Sequence, residues 1–324
     1  MRVALVQFAP QPGKCEENAA HIRNMLKSVA PGSIDLLVLP EMALTGYLFD
    51  SFDHIAPLLE LPYRGEGATY ALATSLAKQF NCYVVAGFPE RMSPEALEDC
   101  QLAQGLVDAR TPQALEAATS TYLPKVRDQA FNSAMLVDPQ GNLANVFRKH
   151  FLFEADTPWA DEGRGFSYVD VPRLGRICVA ICMDLNPYLL DSDFEKYELA
   201  HYCDKNKVDL LVLPMNWLLP EEEHETYRTD PKHNQPSVTT INYWVARCIP
   251  LWVPGMGEPG HEGHRTTLIA ANRTGSEKGM CMAHPDTIFA GSSSVITFRA
   301  GDHANLLGAA GCRDDAVVTV EVPT

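Results

Sequence analysis

Short apolar runs of strand length recur along the whole chain, and they constrain the fold more than any other feature. They cover residues 3–8, 34–39, 82–88, 133–137, 143–147, 177–181, 208–213, 267–271, 293–298 and 316–322. Residues 16–29, 68–80, 194–205 and 237–247 have helical periodicity instead. Strands of this kind are buried when two sheets pack together inside outer layers of helices. The pattern therefore predicts an α/β sandwich. Because no Ser/Gly-rich linker divides residues 1–324, we expect one domain.

One strand sequence occurs twice. Residues 34–40 read Ile-Asp-Leu-Leu-Val-Leu-Pro, and residues 208–214 read Val-Asp-Leu-Leu-Val-Leu-Pro. A proline can end the hydrogen-bond ladder of a strand. We interpret the copies as related halves that deliver their next residues to a shared cleft, which are Glu41 in the first half and Met215, Asn216 and Trp217 in the second. Chance similarity stays an alternative, because such runs suit any buried strand.

Residues 91–129 differ from the rest of the chain, with few β-formers and many Ala, Glu and Gln. Thr111 followed by Pro112 is typical of a helix start, because proline is favoured at the first helical position. The segment is therefore predicted to be a partly helical insertion between two strands. A lid over a site and a surface excursion are both open interpretations.

Composition excludes some classes of partner and favours a cellular compartment. The formal charge is −15, which disfavours binding to nucleic acid or to anionic membranes. Nine cysteines with no Cys-x-x-Cys pair indicate reduced thiols rather than a disulfide framework. The N-terminal residues do not resemble a signal peptide, and no apolar run is long enough to span a bilayer. We therefore expect a cytoplasmic protein.

Cys182 lies where a buried strand meets a turn. The strand at residues 177–181 is followed by Met-Asp-Leu-Asn-Pro-Tyr, and Ser192 with Glu195 forms a capping box that opens a helix. A strand–turn–helix junction can hold a nucleophile on a sharp corner beside N–H groups that stabilise an oxyanion. The alternative is a core residue, because free cysteine is among the most buried residue types.

A catalytic thiol needs a base and a cation, and two residues at strand ends supply them. Glu41 follows the first repeated strand, and Lys149 follows the strand at residues 143–147. A buried carboxylate beside a lysine keeps both groups charged, so the pair can deprotonate a thiol and stabilise an anion. Each could instead be an ordinary surface residue. His150 is the nearest histidine candidate, and the pair at 261 and 264 is a weak metal motif.

Several motifs in register resemble the nitrilase superfamily of carbon–nitrogen hydrolases. They are Leu-Pro-Glu at 39–41, Arg-Lys-His-Phe-Leu-Phe at 148–153 and Ile-Cys-Met-Asp at 181–184, with supporting matches at 132–134, 213–217, 246–247, 271–275 and 291–294. The resemblance implies a four-layer α-β-β-α sandwich and a triad of Glu41, Lys149 and Cys182, with no metal or organic cofactor. Many members carry a second glutamate after the lysine. Glu162 fits that position best, and Glu154 competes with it.

The mechanism that this resemblance implies is thiol-based amide hydrolysis. Glu41 takes the proton of Cys182, and the thiolate attacks an amide carbonyl. Lys149 and the backbone N–H of Met183 hold the oxyanion. Ammonia leaves, and water activated by Glu41 hydrolyses the thioester.

The substrate is predicted from the turn after the cysteine. Members that act on free amino-acid derivatives often carry an arginine there, which can bind a carboxylate. Here residues 185–188 are Leu-Asn-Pro-Tyr, and this run resembles the fungal branch that deamidates N-terminal Asn and Gln for the arginine N-degron pathway. Asp184, the glutamates at 221–223 and the acidic segment 91–129 could each bind the α-ammonium, although solvated surface carboxylates explain the last two better. Tyr188 and Trp217 could wall the side-chain pocket or pack in the core, and we expect Met183 and Asn216 also to contact substrate.

Other functions are weighed beside this one. The first alternative is a small-molecule amidase or carbamoylase of the same superfamily, and a nitrile hydrolase is more distant. A non-catalytic binding module on the same fold is disfavoured by the intact triad. C-terminal segments help many members to dimerise, so the resemblance also allows a homodimer.

Overall fold

Two six-stranded sheets form the centre of the computed structural model, which describes residues 1–92, 129–188, 193–278 and 286–323. In chain order the strands are β1 (Arg2–Gln7), β2 (Leu36–Val38), β3 (Tyr83–Met92), β4 (Gln129–Val137), β5 (Leu143–Arg148), β6 (Tyr168–Val171), β7 (Gly175–Val179), β8 (Leu210–Met215), β9 (Arg265–Asn272), β10 (Ser276–Lys278), β11 (Asp286–Ile288), β12 (Ser294–Arg299), β13 (Ala304–Ala309) and β14 (Ala316–Glu321). The first sheet has the order β14-β1-β2-β3-β4-β5, and the second has the order β13-β12-β9-β8-β7-β6. Strands β10 and β11 form a separate ribbon.

Helices cover the outer face of each sheet. The α-helices of the described residues are α1 (Cys15–Met25), α2 (Phe52–Ile55), α3 (Ala68–Phe80), α4 (Glu198–Lys205), α5 (Glu221–Thr229) and α6 (Val238–Arg247), and the four that cover the sheets are α1, α3, α4 and α6. Apolar side chains of α1 and α3 share a buried cluster with one face of the first sheet. Those of α4 and α6 share a cluster with the second sheet. Among the helices of the described ranges, none combines the length and apolar character that crossing a bilayer requires.

The alternation of side chains along β1 shows why the layers form. Val3 and Leu5 belong to the core between the two sheets, whereas Ala4 and Val6 belong to the core under α1 and α3. Successive side chains of a strand point to opposite faces, so a strand that is apolar throughout must be covered on both sides. The predicted four-layer α/β sandwich is confirmed.

The predicted strands are all present, with ends shifted by a few residues, but several elements were not predicted. These are α2, α5, β6, β10, β11 and β13. None of the six residues of β13 is buried, and its sequence, Ala-Asn-Leu-Leu-Gly-Ala, does not alternate between apolar and polar residues, so hydrophobic periodicity does not reveal it. The second repeated strand also passes through its proline, since Pro214 pairs with Ala271 inside β8.

The boundaries of the predicted insertion are narrower than expected. Strand β3 extends to Met92, which pairs with Gln129 at the start of β4. Residues 93–128 lie outside the described residues, so the insertion stays a prediction. Ser192 of the predicted capping box also lies outside them. In the described part, the side chain of Asp193 caps the short 3-10 turn that precedes α4.

Strand direction gathers the candidate residues at one edge of the sandwich. Strands β2 and β3 run parallel, and β5 follows the same direction because β4 is antiparallel to both β3 and β5. In the second sheet β7 and β8 are parallel. Glu41 and Lys149 follow the carboxyl ends of β2 and β5, and Cys182 and Asn216 follow those of β7 and β8.

Candidate active site

Cys182 lies on a strained backbone corner just beyond β7. It begins a 3-10 turn, Cys182–Leu185, and its φ is 45°. The left-handed region is costly for a residue with a Cβ, and such strain persists only where the surroundings hold it. The side chain is 7% exposed. Cys182 is therefore nearly buried, but on the kind of corner that presents a nucleophile.

Glu41 is completely buried and has a hydrogen-bond donor on each oxygen. Its Oε1 accepts from Asn132 Nδ2 and from Lys149 Nζ, both at 2.7 Å. Its Oε2 accepts from the backbone N–H of Asn216 at 2.7 Å. Oε1 therefore has two donors and Oε2 has one, which leaves a lone pair on Oε2 for a proton.

Lys149 bridges two buried carboxylates. Its Nζ lies 2.7 Å from Glu41 Oε1 and 2.7 Å from Asp156 Oδ2, and all three side chains are fully buried. Asn132 joins the same network by donating to Asp156 Oδ1 at 2.8 Å. Two of the three N–H bonds of the ammonium are directed to carboxylates, so the third can reach a substrate oxygen.

The pKa values of Glu41 and Lys149 are both raised, but for different reasons. Burial raises the pKa of Glu41, and Asp156 adds to the rise, although Lys149 opposes it. Burial alone would lower the pKa of Lys149, but Asp156 and Glu41 together raise it above its ordinary value. The lysine therefore stays cationic, and Glu41 becomes a stronger proton acceptor than an ordinary carboxylate.

The thiol of Cys182 is protonated in the resting site. Burial and the negative charge of Glu41 raise its pKa well above the ordinary value, while Lys149 and the backbone N–H of Asn216 oppose the rise. A thiolate must therefore form as the proton moves to a base during attack.

The second acidic residue beside the lysine is Asp156, and the expectation for Glu162 is corrected. Glu162 is exposed, and its Oε1 accepts from the hydroxyl of Tyr188 at 2.8 Å. The loop does reach the lysine segment, but through the backbone, since Gly163 N donates to Lys149 O. Glu154 is exposed as well. Asp156 also accepts from the backbone N–H of Phe153, a local turn contact typical of aspartate.

Asn132 and Gly87 support the network, and neither was assigned a role from sequence. The amide of Asn132 connects Glu41 with Asp156, as described above. Gly87 on β3 passes so close to β2 that a Cβ there would lie 2.5 Å from Glu41 Cα and 2.7 Å from Pro40 O. A side chain at this position would displace Glu41.

The two copies of the repeated strand meet at this site, because the second residue after the second copy donates to the residue directly after the first. That contact is the hydrogen bond from Asn216 N to Glu41 Oε2. The side-chain amide of Asn216 is buried, and within the described residues neither its oxygen nor its nitrogen has a partner. The amide therefore has free hydrogen-bonding groups for a substrate, and its predicted contact with substrate stays a prediction.

Asp184 does not face an open cleft, which corrects its predicted role as an ammonium ligand. Its carboxylate is 1% exposed and accepts three backbone N–H groups, from Ile181, His150 and Phe151. The neighbouring N–H of Met183 opens the 3-10 turn, where the first N–H groups of a helix lack carbonyl partners within it. Its oxyanion role stays a prediction.

The predicted aromatic wall is spread over two places. Trp217 is half buried and packs against Tyr243 and Trp244, with ring centroids 5.4 and 6.0 Å apart. Tyr188 is 44% exposed and packs against Phe151 at 5.2 Å. Their contact with substrate stays a prediction.

Histidine does not complete the network. His150 directs Nδ1 to the carbonyl of Gly163 at 2.8 Å. His261 and His264 contact Asp204 and the carbonyl of Val208 instead of each other. In the part of the chain that the structure describes, no group of three His, Cys, Asp or Glu side chains could hold a metal ion.

Comparison with known proteins identifies relatives over the segment that carries Glu41, Lys149 and Cys182. Residues 2–187 match the family described as carbon-nitrogen hydrolase. The chain is 31% identical to the protein N-terminal amidase of Schizosaccharomyces pombe, over 99% of each chain. It is 26% identical to the protein N-terminal amidase of Saccharomyces cerevisiae, over 67% of this chain and 45% of that protein.

Solved structures resemble the fold over its full length. A crystal structure of an N-terminal amidase with a Gln-Val peptide has a TM-score of 0.73 and 20% identity, over 100% of this chain and 99% of that one. A structure with an Asn-Glu peptide gives the same values. An identity this low supports the shared fold alone. The family match, however, covers more than half of the chain, and the relative from S. pombe matches it throughout. The chain therefore belongs to the carbon-nitrogen hydrolase family and is an enzyme of that class.

Proposed function

We propose that this enzyme hydrolyses the side-chain amide of an N-terminal asparagine or glutamine, giving aspartate or glutamate and ammonia. The observation that carries the chemistry is the placement of Cys182 on a strained corner beside a buried Glu41–Lys149–Asp156 network. The residue roles given below belong to this proposal.

Glu41 is the base of the first step. Its Oε2 has one donor, the backbone N–H of Asn216, and that same N–H faces the Cys182 thiol. The thiol proton therefore passes to Oε2 as sulfur attacks the amide carbon. The raised pKa of Glu41 favours this transfer, and the protonated carboxyl then returns the proton to the leaving nitrogen.

Lys149 stabilises the charge that develops on the substrate oxygen. Its remaining N–H bond and the backbone N–H of Met183 donate to the oxyanion of the tetrahedral intermediate. Collapse breaks the carbon–nitrogen bond, releases ammonia and leaves a thioester on Cys182. Water then gives a proton to Glu41, its oxygen attacks the thioester carbon, and the acid leaves as the thiol is regenerated. Asp156 holds Lys149 in place and keeps it charged.

Two observations support a peptide N-terminus as the substrate. The relative that matches this chain from end to end is a protein N-terminal amidase. The turn after Cys182 reads Leu185, Asn186, Pro187 and Tyr188, so it carries no arginine that could bind a free carboxylate. A peptide's first residue has no such carboxylate, because it is tied up in the next peptide bond.

The proposal is tested by ammonia release from matched substrates. Asn- and Gln-initiated tripeptides are compared with free glutamine, free asparagine, N-acetylated tripeptides and carbamoyl compounds. We expect turnover of the unblocked tripeptides and a gain of 1 Da in each, the mass change that amide hydrolysis produces. Activity on the free or carbamoyl compounds alone would instead support a small-molecule amidase.

The biological setting is part of the same proposal. Conversion of N-terminal Asn and Gln to Asp and Glu would supply the arginine N-degron pathway. The seven cysteines in the described ranges are all free, which fits a reducing cytoplasm. Assembly as a homodimer stays a prediction, and sedimentation of the purified chain would measure it.

A further inference from the structure

The carboxylate of Asp184 ties together two segments that are far apart in sequence. Its Oδ1 accepts from His150 N at 3.0 Å and from Phe151 N at 2.8 Å, and its Oδ2 accepts from Ile181 N at 2.8 Å. One segment follows Lys149, and the other precedes Cys182. A single buried side chain therefore fixes the lysine segment against the cysteine turn.

Both segments need this support because each has just left its sheet. Strand β5 ends at Arg148 and β7 ends at Val179, so His150, Phe151 and Ile181 lie beyond the strand ladders. A buried backbone N–H without an acceptor is costly, and the Asp184 carboxylate satisfies three of them. It also closes the turn that holds Cys182 at its positive φ.

We propose that Asp184 is a positioning residue for the reaction, which sets the distance between the Lys149 ammonium and the Cys182 thiol through three backbone hydrogen bonds. This inference rests on the proposed function. Asp184 does not touch the substrate, because both of its oxygens are used within the chain and its side chain is 1% exposed.

Electrostatics alone and positioning predict opposite effects on the thiol. Replacing Asp184 by asparagine removes a negative charge near Cys182, which by itself would lower the pKa of the thiol. Loss of the positioning bonds would instead move Lys149 away from the sulfur, and the pKa of the thiol would rise. The direction in which the pKa of the Cys182 thiol changes in Asp184→Asn therefore distinguishes positioning from a purely electrostatic role.

The surroundings of Asp184 contain further groups that titrate or carry charge. Burial raises the pKa of Asp184 to about 6, while the N–H donors and Lys149 oppose the rise. Its carboxylate therefore titrates within a range that activity measurements can reach. The groups on the packed elements are Lys149 and the His150 imidazole after β5, Cys182 on its own turn, Glu198 on α4 and Arg247 on α6, with Glu41 and Asp156 paired to the same lysine.

Asp184→Asn is the test variant, and Asp209→Asn is its matched control. Asp209 makes a comparable bond, from Arg176 N to its Oδ2 at 2.7 Å, at the opposite end of β7 and β8. Two quantities are measured on folded protein. One is kcat and KM for an Asn-initiated tripeptide, and the other is the rate at which iodoacetamide alkylates Cys182 between pH 7 and pH 12, a range extended upwards because the pKa of the thiol is raised, followed by peptide mass spectrometry.

We expect Asp184→Asn to lower kcat by about 10- to 100-fold with KM changed by less than about threefold, since a misplacement of about 1 Å can cost 10²-fold. The alkylation midpoint should move to higher pH. Asp209→Asn should leave kcat, KM and the alkylation midpoint unchanged. A midpoint that is lower or unchanged, or a kcat near that of the unmodified enzyme, would overturn the proposal.

Two further measures keep the result decisive. If Asp184→Asn does not fold, Asp184→Glu keeps the charge but shifts both oxygens, and the same rise in the alkylation midpoint is expected. Alkylation needs no substrate. If the unmodified enzyme releases no ammonia from any peptide, the proposed function fails, while the alkylation midpoints still decide the role of Asp184.

Discussion

Replacing Gly87 by alanine should lower the activity of the enzyme, because the added methyl group would collide with the backbone at Glu41. An alanine Cβ would lie 2.5 Å from Glu41 Cα, 2.7 Å from Pro40 O and 2.8 Å from Met42 N, and all three are backbone atoms that cannot rotate away. Ordinary van der Waals contact for a Cβ begins at 3.4 Å, so the backbone at Glu41 must move by about 1 Å. We expect kcat to fall about 100-fold, the usual cost of such a misplacement.

The fold should tolerate the change. Inserting a methyl group into a packed interior typically costs about 1–3 kcal/mol of unfolding free energy. Gly308→Ala is the control, because Gly308 lies in β13 at the edge of the second sheet and its Cβ would meet a side-chain atom, Val320 Cγ2 at 2.9 Å, and not the backbone. Ammonia release at saturating peptide and urea unfolding are measured for both. A folded Gly87→Ala enzyme with near-normal kcat would refute the reasoning.

Three other substitutions test the charges around the lysine. Asp156→Asn removes a charge that raises the pKa of Glu41, so the acid limb of kcat/KM should move to lower pH while kcat at neutral pH falls about 10- to 100-fold. Glu162→Gln breaks only the exposed bond to Tyr188, so kcat should stay within about twofold, and a loss as large as that of Asp156→Asn would restore Glu162 to the site. Folding raises the pKa of Asp184 from 3.8 to about 6, so its contribution to stability is lost as pH rises through that interval. Between these two pH values, urea unfolding should show that the unmodified enzyme loses up to about 3 kcal/mol of unfolding free energy relative to Asp184→Asn. The same change of unfolding free energy with pH in both proteins would contradict this.

Sequence reasoning was most successful where a residue's position depends on a buried strand. The runs before Glu41 and Cys182 are apolar on both faces, and such strands lie inside a covered sheet. The run before Lys149 is the edge strand β5, in which only Val146 and Phe147 are buried. Because β2 and β3 run parallel, as do β7 and β8, the residues that follow their carboxyl ends lie at one edge of each sheet. The repeated Leu-Leu-Val-Leu-Pro sequence indicated a shared cleft for the same reason, and the bond from Asn216 to Glu41 realises it.

Side chains in turns were harder to predict, because the path of a turn depends on contacts that leave no periodic signal. Asp156 lies seven residues after Lys149 in an irregular segment, where its carboxylate contacts the ammonium and also accepts from Phe153 N. The available signal was weak: Asp156 is an aspartate before Thr-Pro, which is typical of a turn. The predicted role of Asp184 as an ammonium ligand was wrong. A carboxylate can bind an ammonium, but that of Asp184 is buried and accepts backbone N–H groups instead.

The central claim is that Cys182 becomes acylated by the side chain of an N-terminal asparagine or glutamine. The direct measurement is rapid acid quenching of the enzyme during turnover of an Asn-initiated tripeptide, followed by intact-mass and peptide mass spectrometry. We predict an adduct with the mass of the tripeptide less ammonia, attached to Cys182 and absent from Cys182→Ala. Turnover without any such adduct, or with the adduct on a different residue, would contradict the account.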